Sequence, residues 1–158
     1  MKRVNNIIYN TLFRSTLQRI DHCEEERLFC RHNMEHLLSV ARIMMLFAKE
    51  EELTLDREIM YATALLHDLG RVYQYQNGDD HALAGLTLAQ EILSQCHYTR
   101  EEQVQVLTAI GNHNQQETSD ELSCLLKKAD KLSRNCFLCP VYQECYWPEQ
   151  EKNRGITI

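Results

Sequence analysis

His67 and Asp68 stand side by side at the end of an apolar stretch, Ala64-Leu65-Leu66-His67-Asp68-Leu69-Gly70. An aspartate among apolar neighbours is costly if it is buried without a partner. It either closes a helix end in water or meets a cation. Imidazole nitrogen suits Fe, Zn, Mn, Co or Ni, and a carboxylate adds negative charge. Taken alone, such a dipeptide is most simply a solvated helix end. Two more residues change that. His36 lies on the apolar side of its helix, with Val40 and Met44 one and two turns further along the same face. A lone histidine there is usually a satisfied core residue. Asp130, in Leu125-Leu126-Lys127-Lys128-Ala129-Asp130-Lys131-Leu132, is flanked by Ala129 and Leu132 on a face that should point inward. Three separate helices thus each bring a metal-competent side chain toward a core, which is how helical bundles build metal sites. A divalent ion held there lowers the pKa of bound water from about 15.7 toward ~7, so that hydroxide exists at neutral pH.

The elements that must carry these residues read as helices. Proline occurs only at 140 and 148, and nothing alternates long enough to read as a strand. A first helix runs from about Asn5 to Asp21, with Ile7, Ile8, Leu12, Phe13, Leu17 and Ile20 on one face. A second runs from about Asn33 to Glu50. A third starts at Asp56, a candidate N-cap, and ends at Gly70, a candidate C-cap. Tyr73 to Asp79 reads as a polar loop, and Asp80 caps a helix from His81 to about Cys96. Capping boxes at Thr99-Arg100-Glu101-Glu102 and Thr118-Ser119-Asp120-Glu121 open helices to about Ile110 and Arg134. The expectation is an all-α single bundle of about six to seven helices over residues 1–134. A cysteine-containing tail, 135–158, packs on the same domain.

Composition sets the outer bounds. A chain of 158 residues with 44% apolar content can bury one real core. A formal charge of −6 without a basic block argues against a grip on duplex nucleic acid. The longest apolar run, Ile43 to Ala48, is far short of the ~20 residues that span a membrane. The start has a basic pair but no apolar signal core behind it, so a cytoplasmic location is expected. Seven cysteines then read as free thiols or metal ligands rather than disulfides.

His36-Leu-Leu-Ser-Val40-Ala41, Leu66-His67-Asp68-Leu-Gly70 and Ala129-Asp130, in this order and spacing, resemble the HD superfamily of metal-dependent phosphohydrolases over roughly residues 30 to 135. The resemblance implies a helical bundle, a phosphate ester or anhydride as substrate, and metal ligation by His36, His67, Asp68 and Asp130. Superfamily members with two metals carry further histidines where His81 and His113 stand here, with the aspartate of the His-Asp pair bridging. Bacterial HD-type diadenosine tetraphosphate hydrolases have the most similar pattern. Otherwise His81 is a first-turn helix residue and His113 a loop residue. One or two divalent ions are therefore expected, with Asp68 and Asp130 serving the catalytic step and Arg71 reaching a phosphate with its planar fork of donors. Lys131 and Arg134 are further substrate-binding candidates, each of which also reads as a solvated surface charge. HD-type deoxynucleotidases place a glutamate soon after the pair. Leu69-Gly70-Arg71-Val72-Tyr73 has none, which argues against a simple nucleoside-monophosphate phosphatase. The Gly-Tyr-Pro signature of cyclic-dinucleotide phosphodiesterases is also missing.

Two features lie outside that pattern. His32, four residues before His36, is expected at the surface or just behind the ligands. Cys136, Cys139 and Cys145 form a C-x2-C-x5-C run, and Cys30 is the choice for a fourth thiolate. Four thiolates suit structural zinc or an iron–sulfur cluster, and buried thiols without metal are the ordinary alternative. The expected partner is a small-molecule phosphate compound, in particular a nucleotide or dinucleotide. The rival to an enzyme is a non-catalytic HD-like module that senses nucleotide, metal or redox state.

Overall fold

The computed structural model describes residues 1–115 and 118–157, so Ile158, the end of the expected tail, lies outside the described residues. Among the described residues, nine α-helices follow one another: α1 (Lys2–Tyr9), α2 (Thr11–Cys23), α3 (Met34–Glu50), α4 (Arg57–Leu66), α5 (Arg71–Asn77), α6 (His81–Ala84), α7 (Leu86–Gln95), α8 (Arg100–Asn112) and α9 (Glu121–Leu132). No strand occurs among the described residues. Two short 3-10 turns, Cys136–Leu138 and Tyr142–Glu144, follow in the tail.

The helices outnumber the expectation for local reasons. The expected first helix is broken at Asn10, whose backbone is extended and whose side chain accepts the Phe13 N–H at 3.1 Å to cap α2. The stretch Tyr73–Asp79, expected as a loop, is mostly helical. Arg71–Asn77 makes two turns that end at Gly78, in the left-handed region at φ 80°. The expected His81–Cys96 helix breaks at Gly85. Asp56 and Asp80 cap α4 and α6 as their positions suggested, and Asn33, where the second helix was expected to begin, caps α3. The Thr99 capping box forms fully. The second box does not: Asp120, not Thr118, caps α9 through the Ser123 N–H. An aspartate immediately before the helix outcompetes a threonine two residues further out.

Helices α3, α4, α8 and α9 close a ring in which each packs on two neighbours, α1 and α7 lean on its outside, and α2 packs on α1, α5 and α7. The centre is apolar and fully buried, with Leu37, Met44, Leu65, Leu66, Ile110 and Leu126 among its largest side chains. The tail returns to this body. Asn153 Nδ2 donates to the carbonyls of Lys131 at 2.8 Å and Arg134 at 2.7 Å. Among the described residues, no helix is long and apolar enough to cross a membrane.

One close approach fixes the site. Helix α4 ends at Leu66, and the chain leaves through the tight turn His67–Gly70. Gly70 is not the left-handed C-cap its position suggested; its φ is −67°. It is small because the start of α6 lies against it. A Cβ at Gly70 would sit 1.9 Å from the His81 carbonyl oxygen. The turn bearing His67-Asp68 and the helix bearing His81 can touch only through a residue without a side chain.

Candidate metal centre

The four-helix ring delivers its polar residues to one place. His36 comes from the first turn of α3, His67 and Asp68 from the turn after α4, and Asp130 from the last turn of α9. Their ligand atoms lie within 4.8 Å of one another. A second group, Asp68, His81 and His113, meets the same limit. His81 opens α6, and His113 closes α8 as its C-cap. Asp68 belongs to both groups, and its two oxygens divide between them. Oδ2 faces His67 Nε2 at 3.1 Å and His36 Nε2 at 3.4 Å, while Oδ1 faces His81 Nε2 at 3.6 Å.

The rings are held from behind. His67 Nδ1 lies 2.8 Å from the Ala64 carbonyl, and His113 Nδ1 lies 2.6 Å from the Ile110 carbonyl. A carbonyl only accepts, so each Nδ1 carries hydrogen and each Nε2 is directed into the site. Backing imidazoles in this way fixes tautomer and orientation in metal sites. His36 Nδ1 is backed by the Ser133 hydroxyl at 3.1 Å. The rings of His36, His67, His113 and His81 follow one another at 5.3 to 5.5 Å.

Electrostatics bear on which groups can take a cation. His67 is fully buried, and burial opposes its charge, yet Asp68 and Asp130 outweigh that and carry its pKa up to about 10. Burial likewise opposes the Asp68 charge, but His67, His32 and His36 hold that carboxyl well below the usual range. Asp130 is held low against burial by His36, His67 and Arg134. Burial, with Arg71 beside it, pushes His81 down to about 4. Burial also lowers His113. The second pair of imidazoles is therefore neutral at pH 7, the form that binds metal. His67 Nε2 and Asp68 Oδ2 are buried and, although they stand 3.1 Å apart, neither makes a well-directed hydrogen bond. Leaving such groups unsatisfied costs about 1–3 kcal/mol each, more for a charged one. A divalent cation coordinated by both would remove that cost, so the residues fit the ion that their chemistry implies.

A cavity of about 550 Å³ opens beside these groups. Its wall includes His36, Arg71, His81, Asp130 and Arg134. Arg71 donates from Nε to Asp68 Oδ1 at 3.0 Å and from Nη1 to Gln74 at 2.7 Å. Arg134 is a buried component of the site, not a surface charge. Its Nη2 stands 3.2 Å from Asp130 Oδ1 and 3.1 Å from His36 Nε2. Lys131 does not join them. It is 43% exposed, pairs with Glu151 at 3.4 Å, and is not part of the cavity wall. One helical residue separates a side chain from its neighbour by about 100°, so Asp130 and Lys131 face different ways.

Of the two places expected for His32, the structure shows the one behind the ligands and not the surface. It is buried in the loop before α3, with Nε2 4.0 Å from Asp68 Oδ2. Its backbone N–H donates to Glu24 Oε2 at 2.7 Å, and its Nδ1 meets Glu24 Oε1, which also accepts the Tyr75 hydroxyl. Glu24 and Tyr75 gave no sequence signal. Glu24-Glu25-Glu26 reads as a solvated charge run, and Tyr75 sits in the stretch that reads as loop. Cys30, Cys136, Cys139 and Cys145 also line the cavity, while Cys23 and Cys124 are exposed and Cys96 is buried.

Comparison with known proteins agrees with this geometry. The family model for the HD domain matches residues 33–135. An uncharacterized protein of Clostridium beijerinckii is 39% identical over 156 residues, covering 99% of both chains. The crystal structure of a predicted HD superfamily hydrolase from an uncultured Thermotogales bacterium superposes with a TM-score of 0.63 at 23% identity, covering 88% of this chain and 80% of that one. That likeness is one of fold.

Proposed function

The chain belongs to the HD domain family, with a buried histidine–aspartate cluster able to bind a divalent metal, and we propose on that premise that it is a metal-dependent phosphohydrolase. Its substrate would be a phosphate ester or anhydride of a nucleotide or dinucleotide. The observation that carries this reading is the sharing of Asp68 between two ligand groups. His36, His67, Asp68 and Asp130 would hold one ion, and Asp68, His81 and His113 a second. Two divalent ions about 3.5–4 Å apart supply a hydroxide nucleophile at neutral pH and neutralise charge on a phosphoryl oxygen. Fe, Mn, Zn, Co and Ni all suit this donor set.

The chain's own groups would do the rest. Asp68 fixes the two ligand sets relative to each other. Asp130, partly exposed to the cavity, orients the attacking oxygen. Arg71 keeps a planar fork at the cavity wall, where it can meet a phosphate in two parallel hydrogen bonds. Arg134 offers the same chemistry from deeper in. A volume near 550 Å³ suits a small organic phosphate. We also infer a cytoplasmic location, since all seven cysteines stand as free thiols.

A non-catalytic sensor is the second reading, and one observation favours it: the Arg134 cation already occupies the neighbourhood of His36 Nε2 and Asp130 Oδ1. The two are separated by metal analysis together with a hydrolysis screen over phosphate esters, nucleotides and dinucleoside polyphosphates with Mn, Fe, Co and Ni. The hydrolase reading expects turnover that His67→Ala abolishes. Bound metal without turnover across the screen would favour the sensor.

A further inference from the structure

We propose that Cys30, Cys136, Cys139 and Cys145 together hold one iron–sulfur cluster in the wall of the same cavity. The thiols come from two segments far apart in the chain, and the fold ties those segments together. Arg134 Nη1 donates to the Arg31 carbonyl at 3.1 Å, one residue past Cys30. The rings of Phe29 and Tyr146, neighbours of Cys30 and Cys145, meet edge to face at 6.5 Å. Within the tail, successive tight turns bring the other thiols round. The Cys139 N–H donates to the Cys136 carbonyl at 3.0 Å, and the Cys145 N–H donates to that of Tyr142 at 3.4 Å. Lys152 Nζ closes the loop on the Tyr142 carbonyl at 3.0 Å. All four thiols are free, and all four line the cavity. Burial raises the Cys30 thiol pKa, Arg134 opposes that rise, and the charges of Cys136, Cys139 and Cys145 add to it, so the four sulfurs share one electrostatic neighbourhood.

The spread of the four thiols bears on the occupant. A single tetrahedral zinc with Zn–S near 2.3 Å brings its sulfurs to roughly 3.8 Å from one another. Among the described residues, ligand atoms gather within 4.8 Å in the two histidine–aspartate groups, and the four sulfurs do not form a third. Four thiolates that do not converge on one point suit a [4Fe–4S] cluster, in which each cysteine binds a different iron. Arg134 places a guanidinium next to it, which offsets the negative charge such a cluster carries. The proposal stands independently of the hydrolase reading, because the histidine–aspartate groups have no use for sulfide.

The test is iron, zinc and acid-labile sulfide analysis of the full chain purified without air, with its visible absorption spectrum before and after dithionite. Iron and sulfide in similar amounts are expected, with absorption that bleaches on reduction. The double variant Cys30→Ala/Cys139→Ala, with two of the four cluster ligands removed, should lose its acid-labile sulfide while His67→Ala keeps it. Helical circular dichroism checks that both variants fold. Zinc in the wild-type chain without sulfide, or sulfide retained in the folded double variant, would overturn the proposal. If the double variant does not fold, the wild-type sulfide content decides alone.

Discussion

Gly70→Ala tests whether the close approach of the His67-Asp68 turn to α6 holds the site together. The added Cβ would lie 1.9 Å from the His81 carbonyl oxygen, 2.6 Å from the Gly85 nitrogen and 2.8 Å from the His81 carbonyl carbon. Ordinary contact begins at 3.4 Å, so α6 must retreat by roughly 1.5 Å at its tightest point. All three atoms are backbone, so no side chain can rotate to make room. Overpacking a core costs about 1–3 kcal/mol, and with no flexible neighbour the upper end applies. For a chain of this size ~3 kcal/mol lowers Tm by about 6–12 °C. The same retreat draws His81 away from Asp68 Oδ1, now 3.6 Å off, so the variant should hold less of the second ion. Gly111→Ala is the control. Its Cβ would meet only Leu86 side-chain carbons at 3.8 Å and 4.0 Å, and replacing a helical glycine should add up to about 1 kcal/mol. Thermal unfolding followed by circular dichroism and metal analysis read both effects. A Gly70→Ala protein that melts within about 2 °C of wild type with unchanged metal content would refute the reasoning.

The His67 pKa of about 10 in the metal-free fold, against 6.5 unperturbed, sets a pH dependence. The charged ring stabilises the metal-free protein fully below 6.5, and that contribution fades as pH rises toward 10. Metal binding must displace this proton, so at pH 8 calorimetry in buffers of different ionisation enthalpy should show about one proton released, and affinity should rise with pH. His81 and His113, already held neutral by burial, should add nothing to that release. Arg134→Ala should lower kcat/KM about 10- to 100-fold, the worth of a charged hydrogen bond, while Lys131→Ala leaves it unchanged in steady-state assays. Thr99→Ala breaks the capping box of α8 and should cost ~1 kcal/mol in denaturant unfolding without altering metal content.

The residue types and spacing around His36, His67-Asp68 and Asp130 contained most of the site. They are legible because a carboxylate or imidazole on an apolar helix face violates the hydrophobic pattern, and that violation is visible in one dimension. The caps Asp56, Asp80 and Thr99 were legible for a similar reason, since each satisfies backbone donors only a few residues away. Thr118 misled because a stronger competitor, Asp120, stood closer to the helix. The break at Asn10 was missed because apolar residues on both sides keep a continuous helical rhythm.

Other features exist only through contacts between distant segments. Glu24 and His32 lie 8 residues apart, and Tyr75 reaches them from α5; a charge run and a presumed loop give no hint of burial. Whether Arg134 faces the site and Lys131 faces water depends on where α9 sits against α3. The role of Gly70 depends on α6 arriving beside it. Local order is set by neighbours along the chain, so local chemistry suffices to read it. The division of Asp68 between two groups of imidazoles depends on four helix ends meeting, and packing alone decides which ends meet.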